Sequence, residues 1–255
     1  MVVQPRIKVS CQKAKKFPAP EDHPLVQANT PLIGQNEWPE LENFKAPVLD
    51  YYETLFALGK TLFSGFALAL GLPEDHFDSM ISCPPSKLRL IHYPFDENAE
   101  DRPGIGAHTD YECFTMLLAD QPGLEVMNDN GEWIDAPPVK NGDEEAFVIN
   151  IGDMLEVLTA GKFVATSHRV RKVAQERYSF PLFFACDYHT LIRPLEQFDD
   201  GSTEYKTLSI GEHMYSQALQ TYRYLREKVA KGEASLPERA TGVATFGHLK
   251  NNKPS

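Results

Sequence analysis

The chain has 255 residues, 42% of them hydrophobic and 24% charged, with a formal net charge of −11. A chain of this length can bury about 70–75% of its unfolded surface without help from disulfides. The negative balance argues against nucleic acid or an anionic membrane as the main partner, because both require a cationic footprint.

Residues 1–42 read as an irregular N-terminal segment, rich in proline (Pro18, Pro20, Pro24, Pro31 and Pro39), that wraps over a surface. Over residues 43–70 the apolar positions Val48, Tyr52, Leu55, Phe56, Leu62, Phe63 and Phe66 recur at helical spacing. Gly71 and Pro73 supply the stop. A short helical piece is expected over 74–80. From residue 86 the pattern changes to strands, in the runs SKLRLIHYPF, GIGAHTD, CFTMLLAD, LEVMN, EWIDAP, AFVINIG, KFVATSHRVRKV and RYSFPLFFACDY. The Asn130-Gly131 step predicts a two-residue hairpin. A short helix at 153–158 interrupts the strands, and an amphipathic helix over about 210–230 closes the chain. Many short strands separated by Gly, Pro and Asn turns predict a mainly β protein with flanking helices, a sandwich or jelly roll, over residues 43–255.

The four cysteines, Cys11, Cys83, Cys113 and Cys186, show no CxxC spacing. They read as thiols of a reducing compartment, neither a disulfide framework nor a zinc site. No apolar run is long enough to span a membrane. The basic N-terminus has no signal-peptide core. A cytoplasmic location is therefore the expectation.

His-x-Asp occurs twice, at His76–Asp78 and His108–Asp110. In a strand, side chains two apart leave on one face; in a helix they diverge. The first pair falls in the short helical piece and the second in a strand, so only His108 and Asp110 are placed to share a ligand. Of the eight histidines, His168 is the candidate third ligand, because it lies in a strand sixty residues further on. Two imidazoles and a carboxylate with open positions suit non-haem Fe(II). His168 as an ordinary cross-strand polar residue is the competing reading. Nine residues after it stands Arg177-Tyr178-Ser179, the only Arg-x-Ser in the chain. Arg177 and Ser179 share a strand face and together make a carboxylate clamp, a forked charged donor beside a neutral one. A surface ion pair is the competing role for Arg177.

With these residues in place, the chain resembles the isopenicillin N synthase-like branch of the 2-oxoglutarate- and Fe(II)-dependent dioxygenases. The likeness runs over LRLIHYP, GIGAHTDYECFTMLLAD, PGLEVMNDNGEWIDAPP, AFVINIGDMLEVLTAGKF, TSHRVRKV and RYSFPLFFACDY, roughly residues 44–190. The resemblance implies a double-stranded β-helix (jelly roll) core. It implies Fe(II) bound by His108, Asp110 and His168 as the catalytic centre. It implies 2-oxoglutarate as co-substrate, held by Arg177, Ser179 and Tyr93, and O2 as oxidant. The products would be succinate, CO2 and an oxidised, typically hydroxylated, small organic molecule. Ile91 and His92 replace an Asn and a Tyr common before Tyr93 in the family, and Ala160 replaces a common Asn. Family members carry a further N-terminal segment that helps wall the substrate cavity, and this chain is expected to lack most of it. Loops near 96–104 and 138–145, together with the C-terminal helix, are the expected remaining walls. Two rivals stay open: an oxidase of the same family that uses no 2-oxoglutarate, and a non-catalytic jelly-roll binding protein.

Overall fold

The computed structural model describes residues 9–10, 24–28, 30–33, 36, 38–95, 104–141, 144–171, 175–201 and 208–235. In chain order they form β1 (Val9–Ser10), α1 (Pro24–Gln27), α2 (Lys45–Ala69), β2 (Lys87–Tyr93), β3 (Ile105–His108), β4 (Phe114–Ala119) and β5 (Leu124–Met127). There follow β6 (Trp133–Asp135), β7 (Lys140–Asn141), β8 (Glu144–Glu145), β9 (Val148–Ile151), α3 (Asp153–Leu158), β10 (His168–Val170) and β11 (Arg177–Phe184). β12 (Leu191–Ile192), β13 (Leu208–Ser209), α4 (Ile210–Thr221) and α5 (Arg223–Ala230) complete them. The strands make two antiparallel sheets of a jelly roll, one ordered β1-β2-β11-β4-β9 and the other β3-β10-β5-β6. No helix among the described residues is long and apolar enough to cross a membrane.

The larger sheet has two unlike faces, as strand alternation requires. Leu88, Phe114, Met116, Leu182 and Phe184 face α2 and form the core with Tyr52, Leu55, Phe56 and Phe63. Phe184 stacks on Phe56 at 5.1 Å and on Phe114 at 5.1 Å. Gly59 makes this approach possible, because a Cβ there would overlap the Phe184 ring. The opposite face carries Lys87, Arg89, Ile91 and Tyr93 on β2, with Arg177, Ser179, Pro181 and Phe183 on β11 and Thr115, Leu117 and Ala119 on β4. The register pairs Tyr93 with Arg177, Ile91 with Ser179, and Ser179 with Ala119. This second face lines the interior of the roll.

Four expectations change in detail. The piece over 74–80 is a turn followed by a 3-10 helix at Asp78–Met80. The β5–β6 hairpin closes over three residues: Asn128 N–H bonds Glu132 O at 2.9 Å, and Gly131 takes φ +80. That is a turn ending in a left-handed glycine, which the longer loop requires. The run from Lys162 to Ser167 is loop, and only His168–Val170 is strand. The closing helix is two, α4 and α5, broken where Tyr222 is extended at ψ 124. Residues 96–103 and 142–143 of the expected cavity walls, and most of residues 1–42, lie outside the described residues.

Candidate metal and co-substrate site

His108 closes β3 and His168 opens β10, and the two are direct cross-strand partners. Their rings lie 4.3 Å apart between centroids. Nδ1 of His108 is 2.8 Å from Gly106 O, and Nδ1 of His168 is 3.0 Å from Thr166 O. A carbonyl oxygen only accepts, so each Nδ1 carries a proton, and Nε2 is the nitrogen of each ring turned to the cluster. Both Nε2 atoms sit 3.7 Å from Asp110 Oδ1. The three ligand atoms lie within 4.8 Å of one another and could hold one metal ion. The donor set, two neutral imidazoles and one carboxylate, fits a divalent first-row ion with positions left open. Burial, first, and the neighbouring His168 lower the His108 pKa, which keeps the ring neutral and able to ligate; Arg89 pushes the same way and Asp110 opposes. The pair His76–Asp78 sits on a turn and a 3-10 helix and belongs to no such group.

Asp110 does not extend β3, contrary to the expectation of a shared strand face. The strand ends at His108, and Asp110 is held in the following loop by tertiary contacts. Its backbone oxygen accepts from Asp153 N at 2.8 Å, the oxygen of Glu112 accepts from Met154 N at 3.3 Å, and Cys113 O accepts from Gly152 N at 2.9 Å. These are donors at the start of α3 that lack intrahelical partners. Gly152 permits the contact, since a Cβ there would overlap Glu112 O. The same short helix steadies the loop that leads into His168. Its Glu156 carboxylate accepts from Ala165 N at 2.5 Å, and Thr166 N bonds Ile151 O at 3.3 Å. One six-residue helix thus fixes both the loop that carries Asp110 and the loop that leads into His168. The Asp110 side chain is nearly sealed, and its Oδ2 accepts from Thr115 Oγ1 at 2.6 Å and Asn150 Nδ2 at 3.0 Å. That leaves Oδ1 turned towards the imidazoles.

Arg177 and Ser179, 1% and 2% exposed, sit side by side on the interior face of β11. Arg177 Nε donates to Gln121 O at 3.0 Å, and its guanidinium lies 4.9 Å from the centre of the Tyr93 ring. Its Nη1 is buried with no hydrogen-bond partner among the described residues. A buried charged donor in that state is costly. An anion arriving in the cavity would relieve it. No Glu or Asp forms an ion pair with Arg177 among the described residues, which removes the surface-pair reading.

Several interior residues were not singled out from the sequence. Lys87 Nζ lies 2.7 Å from Glu112 Oε1 and donates to Tyr111 Oη at 2.7 Å. Arg89 donates to Tyr222 Oη at 2.7 Å. Thr115 and Asn150 support Asp110 as described. Strand alternation carried a signal for Lys87 and Arg89, because positions 87, 89, 91 and 93 must share the face of Tyr93. Thr115 and Asn150 were legible only through their pairing across β4 and β9.

Comparison with known proteins agrees with this geometry. Residues 84–185 match the model of the 2OG-Fe(II) oxygenase superfamily. The chain is 35% identical over 216 residues to the 2-oxoglutarate-dependent dioxygenase citB of Monascus ruber, covering 80% of this chain and 64% of that protein. It is 30% identical over 239 residues to the 2-oxoglutarate-Fe(II) type oxidoreductase hxnY of Emericella nidulans, covering 88% and 67%. A full-length Neurospora crassa protein solved in complex with alpha-KG superposes with a TM-score of 0.69 at 26% identity, over 80% of this chain and 64% of that one. The same protein was solved with alpha-KG and thymine. The chain thus spans about two thirds of the length of these relatives. The His108–Asp110–His168 cluster, the jelly roll around it and these likenesses converge on one conclusion: the chain belongs to the 2OG-Fe(II) oxygenase superfamily.

Proposed function

We propose that this chain is a dioxygenase that uses Fe(II), 2-oxoglutarate and O2 to oxidise an unactivated C–H bond of a small organic molecule, typically by hydroxylation. The observation that supports it best is the pairing of a three-ligand cluster with the sealed, unpartnered Nη1 of Arg177 inside the same roll. In this reading His108, Asp110 and His168 hold the iron. Arg177 and Ser179 receive the distal carboxylate of 2-oxoglutarate, and Tyr93 borders it. Bound Fe(II) with 2-oxoglutarate and O2 supplies the oxidising power, with succinate and CO2 as products.

The chain's own residues position and insulate. The carbonyls of Gly106 and Thr166 hold Nδ1 of each imidazole, which orients the rings with Nε2 towards the metal position. Thr115 and Asn150 occupy one carboxylate oxygen of Asp110 and reserve the other. Arg177 orients the co-substrate through a forked donor. Ile91, Leu117, Pro181 and Phe183 give that face an apolar lining that keeps water out. A small-molecule substrate, in preference to nucleic acid, and a cytoplasmic location belong to the same proposal. The net charge supports the first and the free thiols of Cys83, Cys113 and Cys186 support the second.

Succinate formation and O2 uptake, measured with Fe(II) and a substrate panel, test it. Succinate should rise in step with O2 consumed and should stop when 2-oxoglutarate is omitted. O2 uptake that persists without 2-oxoglutarate would replace this reading with the oxidase one.

A further inference from the structure

The interior face of β2 carries two cations besides the one assigned to the co-substrate. Lys87 is neutralised, since Glu112 lies 2.7 Å away. In the function proposed above, Arg177 would be taken by the distal carboxylate of 2-oxoglutarate, and Asp110 with the other carboxylate would offset the charge of Fe(II). Arg89 remains. Among the described residues it has no carboxylate at ion-pair distance; its one hydrogen bond goes to the neutral hydroxyl of Tyr222, and its guanidinium lies 5.0 Å from the centre of the Phe183 ring. A guanidinium carries five N–H donors. Arg89 is half-buried, and none of its remaining nitrogens is among the sealed atoms without a partner, so they keep solvent access.

The position of this charge is bracketed from both sides. Lys87, two residues before it on the same face, hydrogen-bonds Tyr111, which adjoins Asp110. Tyr93, four residues after it on that face, lies against Arg177. Arg89 therefore stands on the interior face between Lys87 and Tyr93, with its guanidinium over the ring of Phe183. Resting on the function proposed above, we infer that the prime substrate is an organic anion, a carboxylate, held by Arg89 with its hydrocarbon body against Phe183. Arg89 is in this account a specificity-determining residue, and Tyr222, at the break between α4 and α5, aims it.

The test uses matched carboxylate and amide pairs, beginning with phenylacetate and phenylacetamide and extending to larger aromatic and aliphatic pairs. Each is titrated by calorimetry, without O2, into protein loaded with Fe(II) and saturating 2-oxoglutarate. The visible absorption band of the loaded protein is recorded first. Loss of that band would be a failure of the proposed function; a normal band with no carboxylate preference in any pair would overturn this inference alone. The expected result is a carboxylate bound about tenfold or more tighter than its amide in at least one pair, the scale of a charge-assisted hydrogen bond. Arg89→Gln should remove the preference with the band retained. Arg89→Lys, which keeps the charge and loses the fork, should reduce it. A preference unchanged in Arg89→Gln overturns the inference, as does one unchanged in Arg89→Lys if the Gln variant fails to fold.

Discussion

Thr115→Val should weaken Fe(II) binding although Thr115 is not a proposed ligand. Its hydroxyl donates to Asp110 Oδ2 at 2.6 Å, and the only other described donor to that oxygen is Asn150 at 3.0 Å. The Asp110 carboxylate is 5% exposed, so water cannot replace the lost bond at little cost. Valine matches the shape of threonine and removes one donor to a charged acceptor, a loss of about 1.5–3 kcal/mol. The metal-free protein loses the same bond, and that part cancels; what lowers Fe(II) affinity is the part by which Thr115 holds Oδ1 towards the imidazoles, together with the weaker charge-assisted bond of a misoriented ligand. The expected fall in Fe(II) affinity is therefore roughly 10- to 100-fold, the range seen when groups that orient ligands are removed. Anaerobic calorimetric titration with Fe(II) measures it, and Thr115→Ser, which restores the donor, should recover most of the loss. A Thr115→Val protein that is folded by circular dichroism and binds Fe(II) within twofold of the parent would refute the reasoning.

Three further outcomes follow from named contacts. Arg177→Ala should lower 2-oxoglutarate affinity by about 30-fold or more, equivalent to about 2 kcal/mol, while Fe(II) affinity measured without co-substrate stays within a fewfold. Ala160→Gly should raise stability by about 1 kcal/mol in urea unfolding, because Ala160 is exposed and held at φ +51, a left-handed conformation costly to any residue with a Cβ. His213 is 1% exposed, and burial pushes its pKa down to about 4. Its folded pKa is below the ordinary 6.5, so the unfolded chain takes up the proton first as pH falls. The folded state should lose stability from pH 6.5 down through pH 4, by about 3 kcal/mol in all. His213→Leu should flatten that part of the metal-free stability profile.

How far the site could be read from the chain depended on whether its geometry was local. Arg177 and Ser179 share one strand, so period-two alternation placed them together, and the register then set Tyr93 across from Arg177. His168 was chosen as the strand histidine distant from His108, and antiparallel pairing made the two direct neighbours. Strand alternation predicts Asp110 on the face of His108, but Asp110 lies past the end of β3. Its position comes from the donors of α3, forty residues away in sequence, and no local pattern encodes that contact. The run before His168 has strand composition yet is loop, because Glu156 and Thr159 capture the backbone of Ala165 and Phe163. The substitution of Ala160 for a common Asn falls on a left-handed residue, where Asn is the better tolerated side chain. The break at Tyr222 was hidden by continuous amphipathic spacing, and it delivers the hydroxyl that meets Arg89.

The proposed site holds iron through His108, Asp110 and His168 and 2-oxoglutarate through Arg177, inside one roll. Anaerobic titration of the metal-free protein with Fe(II) and then 2-oxoglutarate, followed by visible absorption, tests it most directly. The account predicts a metal-to-ligand charge-transfer band that saturates at one iron per chain, is absent in Asp110→Ala, and needs far more 2-oxoglutarate in Arg177→Ala. No band in the parent protein, or an equal band in Asp110→Ala, would contradict it.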